Sequence, residues 1–334
     1  MIPRIATIAV IWSLAMTAVG CTNSETAAQD RDPEKKHTRD QFAADQVVQT
    51  LPTPAPFDAK RSMKYLRELC AIGPRISGSE GMRKQQDLIK EHFEKLGAKV
   101  TFQRFDGHQV SQPKAIPMAN IIISWRPDSE RRLLICTHYD TRPLADQESD
   151  RRKWTQTFLS ANDGTSGIAW MMELAHHMKD LPLKVGVDFV IFDGEECIYE
   201  PGRDQYFIGS KYFANQYREH GGRVRYIAGV LLDLFAGKGA TIPKEPNSEY
   251  YAGAVLEDIW NTAKALGVKE FKNDQGARVE DDHLALNGAG IPTVDLIDFE
   301  YKHWHRLSDL PENCSEDSLA MMAKVLSVWI QRVK

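Results

Sequence analysis

Histidines and carboxylates in this chain recur just past runs of apolar and β-branched residues. The run 132–137 leads into His138-Tyr139-Asp140, the run 187–192 into Asp193-Gly194-Glu195-Glu196, and the run 227–232 into Asp233. The run 291–297 is followed, after a short loop, by His303-Trp304-His305. A further carboxylate, Asp163, sits in Ser160-Ala161-Asn162-Asp163-Gly164-Thr165-Ser166-Gly167, ahead of a helical stretch. Imidazole nitrogen and carboxylate oxygen are zinc donors, and a catalytic zinc keeps one position open for water or substrate. Carboxylates gathered without a cation would repel one another and shift their pKa values upward. A divalent ion removes that conflict and fixes which groups stay ionised. The adjacent Glu195 and Glu196 can then divide the labour, one on the metal and the other free as a general acid/base. The same donor types also suit cobalt or manganese.

Other groups read more plainly. His176-His177 falls in a helical stretch and is expected to be structural or surface. His37, His92, His108 and His220 lie in polar surroundings and are expected to be solvated. His303 competes with His305 as a ligand, because both fall near the other groups. His283, after Asp281-Asp282, is expected to hold a loop.

The elements that must position these groups follow from periodicity. Asp58 can cap a helix with Ala59, Met63, Leu66 and Cys70 on one side, ended by Gly73-Pro74. A second helix spans 80–96, with Met82, Ile89, Phe93 and Leu96 on one side and Gly97 as its stop. Strands are expected at 98–105, 120–125, 132–137, 187–192, 227–232 and 291–297. Helices are expected at 164–179, 206–219, 247–266 and 315–332. This alternation predicts a single three-layer α/β/α domain over residues 58–334, with a mixed, mostly parallel central sheet whose first two strands are antiparallel. In such sheets ligands bind beyond the carboxyl ends of the strands, where the groups above fall.

The chain has 334 residues, 42% hydrophobic and 26% charged, with a formal net charge of −4. It lacks the basic excess expected of a nucleic-acid or anionic-membrane binder. Arg4 is the only charge before an apolar run ending in Thr17-Ala18-Val19-Gly20, which reads as a signal peptide over residues 1–20. Small residues before Cys21 are similar to a bacterial lipoprotein processing site, which implies an exported protein held to a membrane by lipid on Cys21; a plain cleaved signal is the alternative. Residues 21–57 are polar, with Pro52, Pro54 and Pro56, and read as a tether. Cys70, Cys136, Cys197 and Cys314 form no C-x-x-C pair, which argues against cysteine-bound zinc and leaves room for one disulfide.

From about Tyr65 onward the chain resembles the zinc aminopeptidase family and its glutaminyl-peptide cyclotransferase branch. The motifs are Gly73-Pro74-Arg75 with Ser77-Gly78-Ser79, His138-Tyr139-Asp140, Asn162-Asp163-Gly164, Asp193-Gly194-Glu195-Glu196, Gly209-Ser210, Leu232-Asp233-Leu234, Asp281-Asp282-His283 and Trp304-His305. In the general family the resemblance implies two zinc ions: His138 and Asp233 on one, Glu196 and His305 on the other, Asp163 bridging, and Glu195 as the base that activates water. In the cyclotransferase branch it implies a single zinc on Asp163, Glu196 and His305. Glu195 then shuttles a proton, supported by Asp233 and Asp281, and Trp304 packs against substrate.

Asp281-Asp282-His283, Trp304-His305, Leu232-Asp233-Leu234 and Pro246-Asn247-Ser248 favour the cyclotransferase branch. The expected activity is therefore conversion of N-terminal glutamine of a peptide to pyroglutamate with release of ammonia. The alternative is hydrolysis of N-terminal residues by a di-zinc aminopeptidase. A non-catalytic peptide-binding module would be expected to have lost ligands, and no expected ligand is lost. One departure stands out: the branch carries a tryptophan shortly after the paired glutamates, where this chain has Pro201.

Overall fold

The computed structural model describes residues 50–219 and 222–334. The signal-peptide and Cys21 lipidation readings, and most of the tether, lie outside them. Residues 50–57 are packed on the domain: Ala55 N donates to Ser327 Oγ at 3.0 Å, Gln331 Nε2 donates to Thr53 O at 3.1 Å, and Phe57 packs on the core. Ala55 and Phe57 of this short Pro-rich stretch thus join the core.

The central sheet has six strands: β1 (Lys99–Gly107), β2 (Ile116–Trp125), β3 (Arg131–His138), β4 (Gly186–Phe192), β5 (Arg225–Asp233) and β8 (Thr293–Ile297), in the order β1-β2-β4-β3-β5-β8. β1 and β2 pair antiparallel, as do β2 and β4; β3 runs parallel to β4 and β5, and β5 to β8. Alternate residues of the buried strands feed opposite faces. Leu133, Ile135, Phe189, Val230 and Leu232 join one core with α1 (Ala59–Cys70), α2 (Glu80–Lys95), α3 (Ser166–Leu174), α5 (Pro246–Ala265) and α7 (Glu316–Arg332). Leu134, Cys136, Val190, Phe192 and Leu231 join the other with α4 (Ile208–Glu219) and α6 (Asp282–Gly288). This is the expected three-layer arrangement. Each fully buried Leu, such as Leu66 or Leu133, contributes about 1.5–3 kcal/mol of transfer free energy.

The caps act as read: Asp58 accepts from Arg61 N, and Ser79 accepts from Met82 N. Several boundaries differ, β2 for instance starting at Ile116, and three have a clear local reason. Helix α3 ends at Leu174 because the chain tightens into turns, with His176 N bonded to Glu173 O and His177 N to Leu174 O. Helix α4 starts at Ile208 because Phe207 adopts φ 63°. Strand β8 starts after Pro292, which has no N–H for the ladder. A two-stranded parallel ribbon, β6 (Ile242–Lys244) and β7 (Phe271–Gln275), and the short α6 carry too few periodic residues to be read from sequence.

At the far end of β3 from His138, Arg132 Nε and Nη2 donate to Asp188 Oδ2 and Oδ1 at 2.7 and 2.6 Å. Tyr226 OH donates to the same Asp188 at 2.7 Å, so one buried carboxylate ties together β3, β4 and β5.

His92 is a correction to the expectation that it is solvated. It is half-buried, its Nε2 is 2.8 Å from Met172 O, and its ring meets Tyr65 edge-on at 5.0 Å. Burial lowers its pKa. His108 is exposed, whereas His37 and His220 are outside the described residues. Cys70, Cys136, Cys197 and Cys314 are buried free thiols, so the described residues hold no disulfide. No described helix is long and apolar enough to cross a membrane.

Candidate active site and metal centre

The neighbouring parallel strands β4, β3, β5 and β8 end along one edge of the sheet, and their last residues and following loops bring the expected groups together. His138 Nε2 lies 3.0 Å from Asp163 Oδ1 and 3.4 Å from Asp233 Oδ1. His305 Nε2 lies 2.9 Å from Glu196 Oε2 and 3.6 Å from Asp163 Oδ2. Donor atoms of His138, Asp163 and Glu196 all fall within 4.8 Å of one another. Glu195 Oε2 is 3.8 Å from His138 Nδ1, and Asp281 lines the same cleft.

Backbone amides hold the ligand-bearing loops. Asp140 Oδ1 and Oδ2 accept from Glu195 N and Glu196 N at 3.0 and 3.1 Å. Asp309 Oδ1 and Oδ2 accept from Asn162 N and Asp163 N at 2.9 and 3.1 Å, and Tyr301 OH donates to Asp309 at 2.8 Å. The Asn162 side chain joins this loop to the segment after β5, accepting from Ala236 N at 2.8 Å and donating to Leu234 O at 2.9 Å. Gly164 has φ 70°, and a Cβ there would lie 2.8 Å from both Asp140 O and His138 Cε1, so the loop can press against His138 only with glycine at this point. The roles of Asp140 and Asp309 are not legible in the sequence. Their contacts are to backbone N–H groups distant in the chain, which no spacing rule reports.

The electrostatics favour a cation. Burial, reinforced by Asp281, Glu196 and Asp282 against the opposing pull of His138, pushes Glu195 well above the carboxylate range. Burial and then Asp163 push Glu196 up to about 7, with His305 pulling the other way. Burial and the neighbouring Asp233 also raise Asp281 well above its ordinary value. Burial alone would depress His138, but Asp140, Asp163 and Asp233 hold it well above the usual imidazole value. His138 Nε2, Asp163 Oδ2, Glu196 Oε2 and Asp233 Oδ1 are buried, and none has a hydrogen bond of proper geometry. Buried lone pairs so close together, without mutual hydrogen bonds, suit a metal ion.

The metal donors border a cleft of about 290 Å³. Its apolar side is Phe207, Val279, Ile297, Phe299 and Trp304. The Trp304 ring stacks on His305 with centroids 4.1 Å apart and packs on Phe299 at 4.9 Å. Pro201 is exposed and does not line the cleft; after the paired glutamates the wall is supplied by Tyr206 and Phe207. They are drawn there because Phe207 N donates to Glu195 O at 2.8 Å. His303 turns to Ser308 Oγ at 2.8 Å, so of the two candidates only His305 meets the carboxylates. His283 is fully buried at the start of α6, 3.4 Å from Glu245 and 3.8 Å from Asp295, away from the metal donors. A larger cavity of about 430 Å³, between Ser79, Met82, Arg83 and Arg104, has Asp106 as its one carboxylate and no comparable convergence.

Residues 120–330 match the model of peptidase family M28. The chain is 26% identical over 242 residues to glutaminyl-peptide cyclotransferase of Bos taurus, covering 64% of this chain and 65% of that protein. The crystal structure of a glutaminyl cyclase from Fimbriiglobus ruber superposes with a TM-score of 0.83 at 51% identity, covering 85% of this chain and 98% of that one. A leucine aminopeptidase precursor from Bacteroides thetaiotaomicron superposes with a TM-score of 0.79 at 28% identity, covering 85% of this chain and 100% of that one. The chain belongs to peptidase family M28 and, within it, to the glutaminyl-peptide cyclotransferase branch.

Proposed function

We propose that this chain is a zinc-dependent glutaminyl-peptide cyclotransferase, closing the N-terminal glutamine of a peptide to pyroglutamate and releasing ammonia. One observation carries the mechanism: Glu195 is a nearly enclosed carboxyl group that borders the cleft beside the metal donors, with a proton affinity raised by burial. A carboxyl group whose proton affinity lies above the ordinary carboxylate range is better matched to taking a proton from an amine and returning it.

Asp163, Glu196 and His305 would hold one zinc ion, which when bound supplies Lewis-acid polarisation of the side-chain amide carbonyl. The free α-amine attacks the amide carbon, forming the ring C–N bond. Glu195 takes a proton from that amine and delivers it to the departing nitrogen as the old C–N bond breaks and ammonia leaves. Ring closure within one residue avoids the entropy cost of bringing two molecules together. Asp281 helps keep the proton affinity of Glu195 high, Asp233 and Asp281 would support its carboxyl group, and Trp304 would pack along the glutamine methylenes.

A second reading, di-zinc hydrolysis of N-terminal residues, is favoured by His138 Nε2 lying 3.0 Å from Asp163 Oδ1 and 3.4 Å from Asp233 Oδ1, which would give a second ion its donors. The two readings separate on paired peptides, one beginning with glutamine and one with leucine. Ammonia from the first supports cyclisation, and free leucine from the second supports hydrolysis. The substrates have a free N-terminus in either case. The leader 1–20 and the cysteine that follows support export and a lipid anchor at Cys21; Cys21→Ala should then move the protein from the membrane fraction to the soluble fraction.

A further inference from the structure

His305 occupies backbone φ 51°, a region that a residue with a side chain holds only where its surroundings specify it. The surroundings here are the loop after β3. Gln147 N donates to His305 O at 3.2 Å, and Leu307 N donates to Glu148 Oε1 at 3.0 Å, so the loop grips the backbone on both sides of the ring. Asp146 Oδ1 lies 3.2 Å from His305 Nδ1. The opposite ring nitrogen, Nε2, faces Glu196 Oε2 at 2.9 Å and Asp163 Oδ2 at 3.6 Å. An imidazole offering the Nε2 lone pair to a cation carries its proton on Nδ1, and the partner of that N–H sets both the tautomer and the ring plane.

Asp146 is itself held in place. Arg142 Nε and Nη2 donate to its Oδ1 and Oδ2 at 3.0 and 2.6 Å, a two-point clamp that only a guanidinium provides. Arg142 Nη2 also donates to the cleft residue Tyr206 at 2.9 Å, and Arg142 N donates to Glu196 Oε1 at 3.0 Å. The guanidinium is buried, so these contacts are shielded from water. One short loop therefore reaches two of the three donors through different atoms.

We infer that Asp146, clamped by Arg142, is the positioning residue for His305: it accepts a hydrogen bond from Nδ1–H and thereby turns Nε2 toward a cation shared with Asp163 and Glu196. The inference rests on the metal reading of the site.

The test uses the purified full chain, stripped of metal, and measures zinc affinity by competition with a chromophoric chelator. The melting temperature of each metal-free variant is recorded beside it, along with the visible spectrum after Co²⁺ loading. Asp146→Ala should weaken zinc binding by about 10–100-fold. Asp146→Asn, whose Oδ1 still accepts from Nδ1–H, should lose less, and Arg142→Lys should lower affinity through loss of the clamp. The metal-free melting temperatures should match that of the parent, and the Co²⁺ bands of Asp146→Ala should shift. Parental zinc affinity in Asp146→Ala overturns the inference. So does a fall in metal-free melting temperature that accompanies the affinity loss in all the variants, because the loop would then be a structural support and nothing more. A parent chain that takes up no zinc removes the metal reading itself, an outcome distinct from either.

Discussion

The two carboxylate oxygens of Asp163 face different histidines: Oδ1 is 3.0 Å from His138 Nε2, and Oδ2 is 3.6 Å from His305 Nε2. One side chain thus stands between two half-sites. His138 and Asp233 make up the first, and Glu196 and His305 the second. On the two readings above, one filled half goes with cyclisation and two filled halves with hydrolysis. If the single-zinc reading holds, His138→Ala retains about one zinc per chain, because the Asp163, Glu196 and His305 donors are untouched. Elemental analysis of the purified variant checks this. A variant that loses half of the parent's metal points to the two-ion site.

Glu195→Gln keeps the size of the side chain and removes its capacity to take a proton. Turnover of a glutamine-initiated peptide should fall by about 10²–10⁴-fold, the range of general acid–base contributions, with zinc content unchanged. The metal content should hold because Glu195 is outside the Asp163, Glu196 and His305 set. Steady-state kinetics beside a metal assay decide it, and a Glu195→Gln enzyme turning over near the parental rate removes this residue from the proton-transfer role.

Arg132 and Asp188 lie buried at the end of the sheet opposite the cleft, with paired contacts of 2.7 and 2.6 Å. Arg132→Met leaves Asp188 charged and without its cation in the interior, which should destabilise the fold by about 3–5 kcal/mol. Replacing both partners by apolar residues should recover part of that loss. Urea denaturation of the single and double variants measures the difference, and equal stability in the single variant and the parent would refute it.

Glu245 caps α5 and shows how pH should act far from the metal donors. Burial alone would raise its pKa, but contact with His283 and hydrogen bonds from Asn247 N, Ser248 N and Val279 N lower it to about 2. A depressed carboxyl pKa contributes stability that is complete above the ordinary value of 4.5 and is lost as pH falls toward 2. Glu245→Gln should therefore be less stable than the parent at neutral pH, with the gap closing through that window. Melting temperatures across the acid range test this, and a gap that stays constant with pH would count against it.

Much of this protein is legible along the chain. The alternation of strand and helix, the caps at Asp58 and Ser79, and the placing of histidines and carboxylates past strand ends are all local facts. Each depends on side-chain type, a period of two or 3.6 residues, or a few neighbouring residues. Motif resemblance added the branch and the division of roles between Glu195 and Glu196.

Tertiary structure decided the rest. His305 meets the carboxylates and His303 does not, because a positive φ at His305 and the loop carrying Asp146 aim one ring and not the other. The aromatic wall expected near residue 201 is supplied by Tyr206 and Phe207, since backbone bonding to Glu195 returns that later segment to the cleft. Asp140 and Asp309 hold loops through amides distant in sequence, and residues 50–57 dock on α7. These outcomes turn on backbone direction and on contacts between remote segments. Both are set when the layers pack, and neither leaves a periodic trace in the order of residues.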